Sequence, residues 1–477
     1  MKPFTLLLRG GRVVDPRNKV DGLLDVGISG ARVAAVGPEL DPAHAERVLD
    51  LTGQVVFPGV IDAHVHLSPW SNGAAGHQML ARAGTVTALE CAGPLAETME
   101  IAAHHGAGLN VACIDAARPG YTLPSADPPR SAITDFVERA LAGGAIGVKL
   151  LGGHFPLSPE CNDGLIDAAA SMGAYCAFHA GSTRVGTSSY RGFEDALAII
   201  NGRRIHLAHV NAYSRGWVTG DHMEETRQML RELEAADHLV TESHLAVWNG
   251  TLAPLDPLKQ DEIEDAVTRR CLEAADYPPT ADGIVHAIMD GVCQVYVDRG
   301  DDVVRIHGRA GVDAWRADPG GVTVGFEANQ PLVLFATATA RRRDGGFVVD
   351  ALASDGGGIP RNFLVTSGLA LVRFGALSLS DLATKIAWAP ALMLGLEDKG
   401  HLAVGADADV TAIDPERGRA TLGIAGGRVI MANGAVVGSG TTWITTPAGA
   451  AAAKAAGLTP ALIEPATWQR YRRVSAA

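Results

Sequence analysis

Aromatic residues supply only 5% of this 477-residue chain, and no apolar run reaches the roughly 18 to 20 residues that a membrane-spanning helix needs. Insertion into a bilayer is not expected. A basic excess is missing as well: 40 Lys+Arg face 53 Asp+Glu, a formal charge of −13, and a field of that sign opposes nucleic acid and anionic lipid surfaces. The six cysteines (Cys91, Cys113, Cys161, Cys176, Cys271 and Cys293) include no CxxC pair, which suits reduced, buried thiols rather than a disulfide framework. Near the start, the apolar stretch Thr5 to Leu8 is too short for a signal-peptide core and runs into Arg9-Gly-Gly-Arg12, so a cytoplasmic location is expected.

What is present argues for a large core. A hydrophobic content of 47% and a mean hydropathy of +0.12 exclude disorder as the main state. At a prior of roughly 150 residues per domain, the length allows two or three domains or one large barrel with attachments. Short apolar runs separated by Gly, Asp and Pro fill residues 1–54, and a matching set fills 400–445. The two pieces predict a small β-sandwich closed by both termini.

Between them, apolar strands alternate with segments of helical composition. Strands are expected at Val55–His66, Gly84–Cys91, Leu109–Ile114, Ala145–Leu151, Ala174–His179, Ile205–Val210, Leu239–Ser243 and Val349–Asp355. Eight such units over 55–399 predict an α/β fold, a (β/α)8 TIM barrel. About a hundred residues, 246–346, interrupt the rhythm before the last strand. They read as a subdomain inserted over the C-terminal face, or else as an edge decoration for contacts between subunits of a homo-oligomer. The tail, 446–477, offers Thr446 and Pro447 as a helix start and an Ala-rich run closed by Gly457, with packing against a neighbouring subunit as its expected use.

The polar residues at strand ends carry the chemistry. In Pro58-Gly-Val-Ile-Asp62-Ala-His64-Val-His66, residues two apart share a face, so His64 and His66 point together into the barrel mouth and can hold one ion. His179 and His209 each end an apolar strand, where barrel enzymes place reacting groups, while Cys176 and His206 fall on the opposite face of their strands. Lys149 ends a strand too. An ammonium beside metal-binding histidines suffers desolvation and repulsion, which reaction with carbon dioxide to an anionic carbamate removes; a Lys that snorkels to the rim or meets a substrate carboxylate is the plainer alternative. Asp355, followed by three glycines, is placed to bind an ion and accept a proton, although an Asp before Gly also marks turns.

This set, PGVIDAHVH with His64 and His66, then Lys149, His179, His209 and Asp355 in strand order, resembles the amidohydrolase superfamily of metal-dependent hydrolases. The segment Lys399-Gly-His-Leu-Ala-Val-Gly-Ala-Asp-Ala-Asp409 is similar to the family's KGxLxxGxDAD return to the sandwich. The resemblance implies two divalent metal ions, most often zinc. His64, His66 and Asp355 would hold one, His179 and His209 the other, and carboxylated Lys149 would bridge them with a hydroxide that attacks a carbonyl. Asp355 would move the proton to the departing nitrogen.

Within the superfamily, Lys149 favours cyclic amides of the dihydroorotase and hydantoinase kind. The spacing of His179 and His209 (209 − 179 = 30) and the large insertion favour the N-acyl-D-amino-acid deacylases instead, and these bridge their metals with a cysteine on strand two, where Cys91 stands. Cys91 and Lys149 are therefore rival bridging ligands. Lactone or ester hydrolysis remains open, as do deamination, although the HxxE motif is absent after His209, and a non-catalytic role in which metal ligation has been lost. A small molecule is the expected partner. Its contacts are sought in the loops after the strands, at Trp70, His154, Arg184, Tyr213, Arg215 and Arg361, where an Arg fork could clamp a carboxylate.

Overall fold

The computed structural model describes residues 3–186, 189–256, 258–259, 261–318, 322–464, 466–471 and 473–474. The extreme ends of the expected sandwich (1–2) and tail (475–477) lie outside the described residues. Eight parallel strands form the barrel: β1 (Val60–His66), β2 (Thr85–Glu90), β3 (Ala107–Ala117), β4 (Gly147–Leu151), β5 (Tyr175–His179), β6 (Ile205–Leu207), β7 (Leu239–Ser243) and β8, which comes in two pieces, Ala351–Leu352 and Gly356–Gly357. The first piece of β8 pairs with β7 and the second with β1, and this closes the ring. The strands are aliphatic because both faces are buried, one by the barrel interior and the other by helices such as Arg130–Ala142 and Tyr190–Ile200. The expected (β/α)8 barrel is borne out.

Several expected strand limits shift. Val55–Pro58 is not part of β1 but pairs with Val410–Asp414 and Phe4–Asp15 in a nine-stranded sheet built from both ends of the chain. Gly59 makes the transfer between the sheets, because a Cβ there would lie 2.3 Å from Val86 Cγ2 and 2.8 Å from Asp409 Cβ. At the other end, Gly440–Thr445 leaves that sheet and runs parallel to β3. The core of the two-ended sheet joins Val13, Val26 and Ile28 from one terminus with Val410, Leu422 and Ile424 from the other.

The insertion folds around its own core. Four antiparallel strands (Thr251–Leu252, Cys293–Asp298, Val303–Ile306 and Thr323–Phe326) pack against helices Ala266–Ala274, Ala281–Met289 and Gly308–Ala317 through Ile284, Val295 and Trp315. The tail returns to its own barrel. Trp468 donates through Nε1 to Gly173 O at 3.2 Å, and the buried Tyr471 hydroxyl donates to Asp350 at 2.8 Å. Asp350 in turn accepts from the Thr241 amide at 2.9 Å, so the tail ties β7 to the approach of β8. Among the described residues, no helix is long and apolar enough to cross a membrane.

The Lys399–Asp409 segment is the joint between the barrel and the two-ended sheet. Lys399 Nζ lies 2.6 Å from Asp409 Oδ2 and 2.8 Å from Asp407 Oδ2. Asp409 also accepts from Asn110 Nδ2 of β3 at 3.0 Å and from the Gly426 amide at 2.7 Å. Asp409→Ala strips a buried ammonium of one partner, orphans the Gly426 amide and leaves Asn110 Nδ2 with Thr87 alone. We expect it to destabilise the fold by about 3 kcal/mol in chemical denaturation; an unchanged midpoint would show the joint to be dispensable.

Candidate metal centre

One cavity of about 140 Å³ at the C-terminal end of the barrel is lined by His64, His66, Lys149, His179, His209 and Asp355 together. His66 Nε2 lies 2.9 Å and His64 Nε2 3.5 Å from Asp355 Oδ1, and donor atoms of these three residues fall within 4.8 Å of one another. The imidazoles continue in a chain: ring centroids are 5.1 Å apart for His64 and His209 and 4.3 Å apart for His209 and His179. Lys149, with no exposed surface, reaches the same cavity from β4.

Backbone geometry explains how His209 arrives there. β6 ends at Leu207 rather than at the expected Val210, and strict alternation puts His206 on the inner face, 3.6 Å from Glu242 and hydrogen-bonded to the Tyr175 hydroxyl at 2.9 Å. His206 therefore faces the barrel interior and not the helices. His209 adopts a left-handed conformation (φ 30°) that turns its ring back over the cavity, and Asp355 does the same (φ 51°) in the gap between the two pieces of β8. Such conformations carry strain for non-glycine residues and persist where the surroundings enforce them.

Glu242 on β7 is a buried carboxylate of the site that the strand-end reading misses. Its Oε1 accepts from His64 Nδ1 at 2.8 Å and from the His209 amide at 2.6 Å, leaving His64 Nε2 facing Asp355. Burial alone would raise the Glu242 carboxyl, but His64 and His206 hold it far below the usual carboxylate range. The available signal is a carboxylate inside the strand Leu239–Ser243, all of which is buried. His244 and Asn211, hydrogen-bonded to each other at 3.0 Å, are further additions, and His244 lies 3.9 Å from Asp355 Oδ2. Glu90 accepts from Ser68 Oγ and from the amides of Leu67, Ala92 and Gly93, and so pins the loop after β1.

The donor set suits divalent metal. Burial pushes His64 down to about 4 and His179 and His209 well below the ordinary imidazole value, so the rings are neutral and able to ligate. Burial would also raise Asp355, yet the Arg361 guanidinium beside it and the hydrogen bond from His66 outweigh it and keep the carboxylate ionised. The buried polar atoms here that have no hydrogen-bond partner include Lys149 Nζ, His66 Nδ1, His209 Nδ1 and Glu242 Oε2. An unpaired ammonium in such a place is costly.

The remaining sequence candidates divide. Cys91 does not line the cavity; its thiol faces the carbonyls of Leu89 (3.6 Å) and Ala63 (3.8 Å) among Ile61 and Ile114, and burial pushes it well above the ordinary thiol value. Trp70, His154, Arg215 and Arg361 do line it. Arg361, however, is held by Asp355 Oδ2 at 2.6 Å and donates to Trp248 O at 2.9 Å, so its fork is committed within the protein. His154 pairs with Asp265 of the insertion at 2.9 Å. Arg184 lies outside the cavity, paired with Asp195. Tyr213 stands behind His209, its hydroxyl donating to Ala208 O at 2.8 Å and accepting from the Ala180 amide at 3.0 Å.

No protein-family model matches the chain. A dihydroorotase from Geobacter metallireducens is 24% identical over 454 residues, spanning 87% of this chain and 90% of that protein. An N-acyl-D-glutamate deacylase from Alcaligenes xylosoxydans xylosoxydans is 26% identical over 487 residues, spanning 91% and 93%. Among solved structures, a D-aminoacylase described for its binuclear metal centre superposes with a TM-score of 0.66 at 18% identity, covering 92% of this chain and 99% of that one. At that identity the likeness is one of fold.

Glu242→Gln keeps the shape of the side chain but weakens its hold on His64. It is expected to lower divalent-metal affinity about 10- to 100-fold in competition with a chelator, with the circular dichroism spectrum unchanged. Undiminished affinity would remove Glu242 as the residue that orients the ligand.

Proposed function

Because this chain belongs to the amidohydrolase superfamily, we propose that it is a hydrolase of carbon–nitrogen bonds other than peptide bonds, acting on a small molecule in the cavity of His64, His66, Lys149, His179, His209 and Asp355. The observation that carries this reading is the buried Lys149 amine, without a hydrogen-bond partner, beside neutral imidazoles and an ionised carboxylate. In this proposal His64, His66 and Asp355 hold one divalent ion and His179 and His209 a second. The Lys149 amine, by adding to carbon dioxide and losing a proton, would supply an anionic carbamate as a further ligand. Zinc is the proposed metal. Ions bound there supply Lewis acidity at the amide carbonyl and bring the pKa of water to about 7 in the zinc case.

The chain's own groups do the rest. Asp355, its Oδ2 fixed by Arg361, takes a proton from water and passes it to the departing nitrogen, which leaves poorly until protonated. Glu242 keeps His64 turned toward the cavity, and Asn249 to Leu252 with Asp265 of the insertion roof it against bulk water. A cyclic amide of the dihydroorotase kind is the first substrate reading, supported by Lys149. An open-chain N-acyl amino acid is the second, favoured by the D-aminoacylase fold and the roof that the insertion makes. The division into a sandwich (1–54 and 400–445), barrel (55–399), insertion (246–346) and tail (446–477), and assembly as a homo-oligomer, belong to the same proposal.

Chelation is expected to abolish hydrolysis, and zinc with bicarbonate to restore it, across a panel of hydantoins, dihydropyrimidines, lactams and N-acyl amino acids. Asp355→Asn should lower kcat by about 10²- to 10⁴-fold in protein that still binds metal. Near-normal turnover in that variant, with metal retained, would sink the proton-carrier role. Metal analysis of Lys149→Ala against Cys91→Ala discriminates the bridge: loss of one equivalent is expected in the first and not in the second.

A further inference from the structure

Two arginines that line the cavity, Arg118 and Arg215, make no ion pair among the described residues, and the Nε of each is buried without a hydrogen-bond partner. Arg118 lies over the Phe155 ring, 4.5 Å from its centroid. Arg215 lies 4.9 Å over Trp217 and donates through Nη2 to the neutral Asn329 Oδ1 at 3.1 Å. The carboxylates of the same cavity are engaged elsewhere, Asp355 by Arg361 and His66 and Asp265 by His154. In a chain of net charge −13, a cation left unpaired at this position is costly unless an anion arrives.

Arg215 also occupies a particular place. It is the one described residue shared between the metal-ligand cavity and a neighbouring cleft of about 850 Å³, whose walls include Trp217, Trp248, Arg270 and Phe326. Arg270 covers Trp217 from a second direction, its guanidinium 5.2 Å from the ring centroid. The inner space of about 140 Å³ suits the reacting amide, and the outer cleft, where Trp217, Trp248 and Phe326 stand among Arg270, Glu273, Asp290 and Glu327, has room for a large substituent.

We infer that Arg215 reads a substrate carboxylate at the junction of the two spaces, and that the side chain borne next to that carboxylate runs on into the outer cleft against Trp217 and Trp248. The substrate class is thus an amide derived from an amino acid, with its carboxylate free and its side chain large. This rests on the hydrolase reading of the inner cavity. A planar guanidinium with free N–H groups matches a carboxylate edge to edge, which a lysine does not.

Matched substrates test it: open-chain and ring-closed amides, each as carboxylate and as carboxamide, with a methyl or an aromatic side chain. The zinc-reconstituted protein is expected to prefer the carboxylate in kcat/KM. Arg215→Gln should cut that preference about 10- to 100-fold, mainly through KM, and Arg215→Lys should restore part of it. Trp217→Ala should erode the advantage of the aromatic side chain over methyl. A second measurement needs no turnover: quenching of intrinsic fluorescence in the metal-free protein by an N-acyl aromatic amino acid is expected, and is expected to be lost in Arg215→Gln. Equal hydrolysis of carboxylate and carboxamide by the unmodified protein overturns the inference, as does a loss of preference in Arg118→Gln but not in Arg215→Gln. Arg215-dependent carboxylate binding without hydrolysis of any amide would instead support the inference and reject the hydrolase reading.

Discussion

Taking the Glu242 carboxylate out of water costs several kcal/mol, and the interior of the barrel is arranged around offsetting that cost. One oxygen accepts from the His64 ring and from the His209 backbone, with His206 close behind it. These contacts also set which nitrogen His64 turns to the cavity and hold the left-handed turn at His209. A layer lower, Asp62 is also buried, accepts from the Ser354 amide at 3.0 Å and is pushed up to about 7 by its burial. The two acids have opposite fates because Glu242 has imidazoles for neighbours and Asp62 has mainly backbone.

Much of this was legible in the residue order. Aliphatic runs ending in His, Lys or Asp mark the strands, and phase or strand-end position points to His64, His66, Lys149 and His179. His209 and Asp355 stand out by their place at strand ends and not by phase: each turns toward the cavity through a left-handed conformation, which period-two counting does not show. Glu242 was hidden because a strand-end search looks past charges within a strand, and the reason for its presence is a partner 178 residues away. Arg361 looked like a substrate clamp because sequence does not show that a neighbouring carboxylate has already claimed it. Gly59 was passed over inside an unbroken apolar run, since periodicity does not reveal where one sheet hands the chain to another.

The parts outside the barrel act on it through a few buried polar contacts. Asp409 links the two-ended sheet to β3 through Asn110, and Asp350 joins the tail to β7 and the approach of β8. The insertion contributes Asp265, which burial would protonate but His154 and the Thr268 amide keep ionised, so the roof over the cavity is attached by charge as well as by packing.

The broken eighth strand has a kinetic consequence. Its pieces are two residues each, and Asp355 between them meets His66 across 289 positions of sequence. Contacts of that separation form only after a very long loop has closed, so chains that depend on them fold slowly. Asp355 meets His66 where the second piece of β8 pairs with β1, so a chain that lacks β8 carries the imidazoles without the acid. Chemistry at this centre is withheld until the last stave is in place.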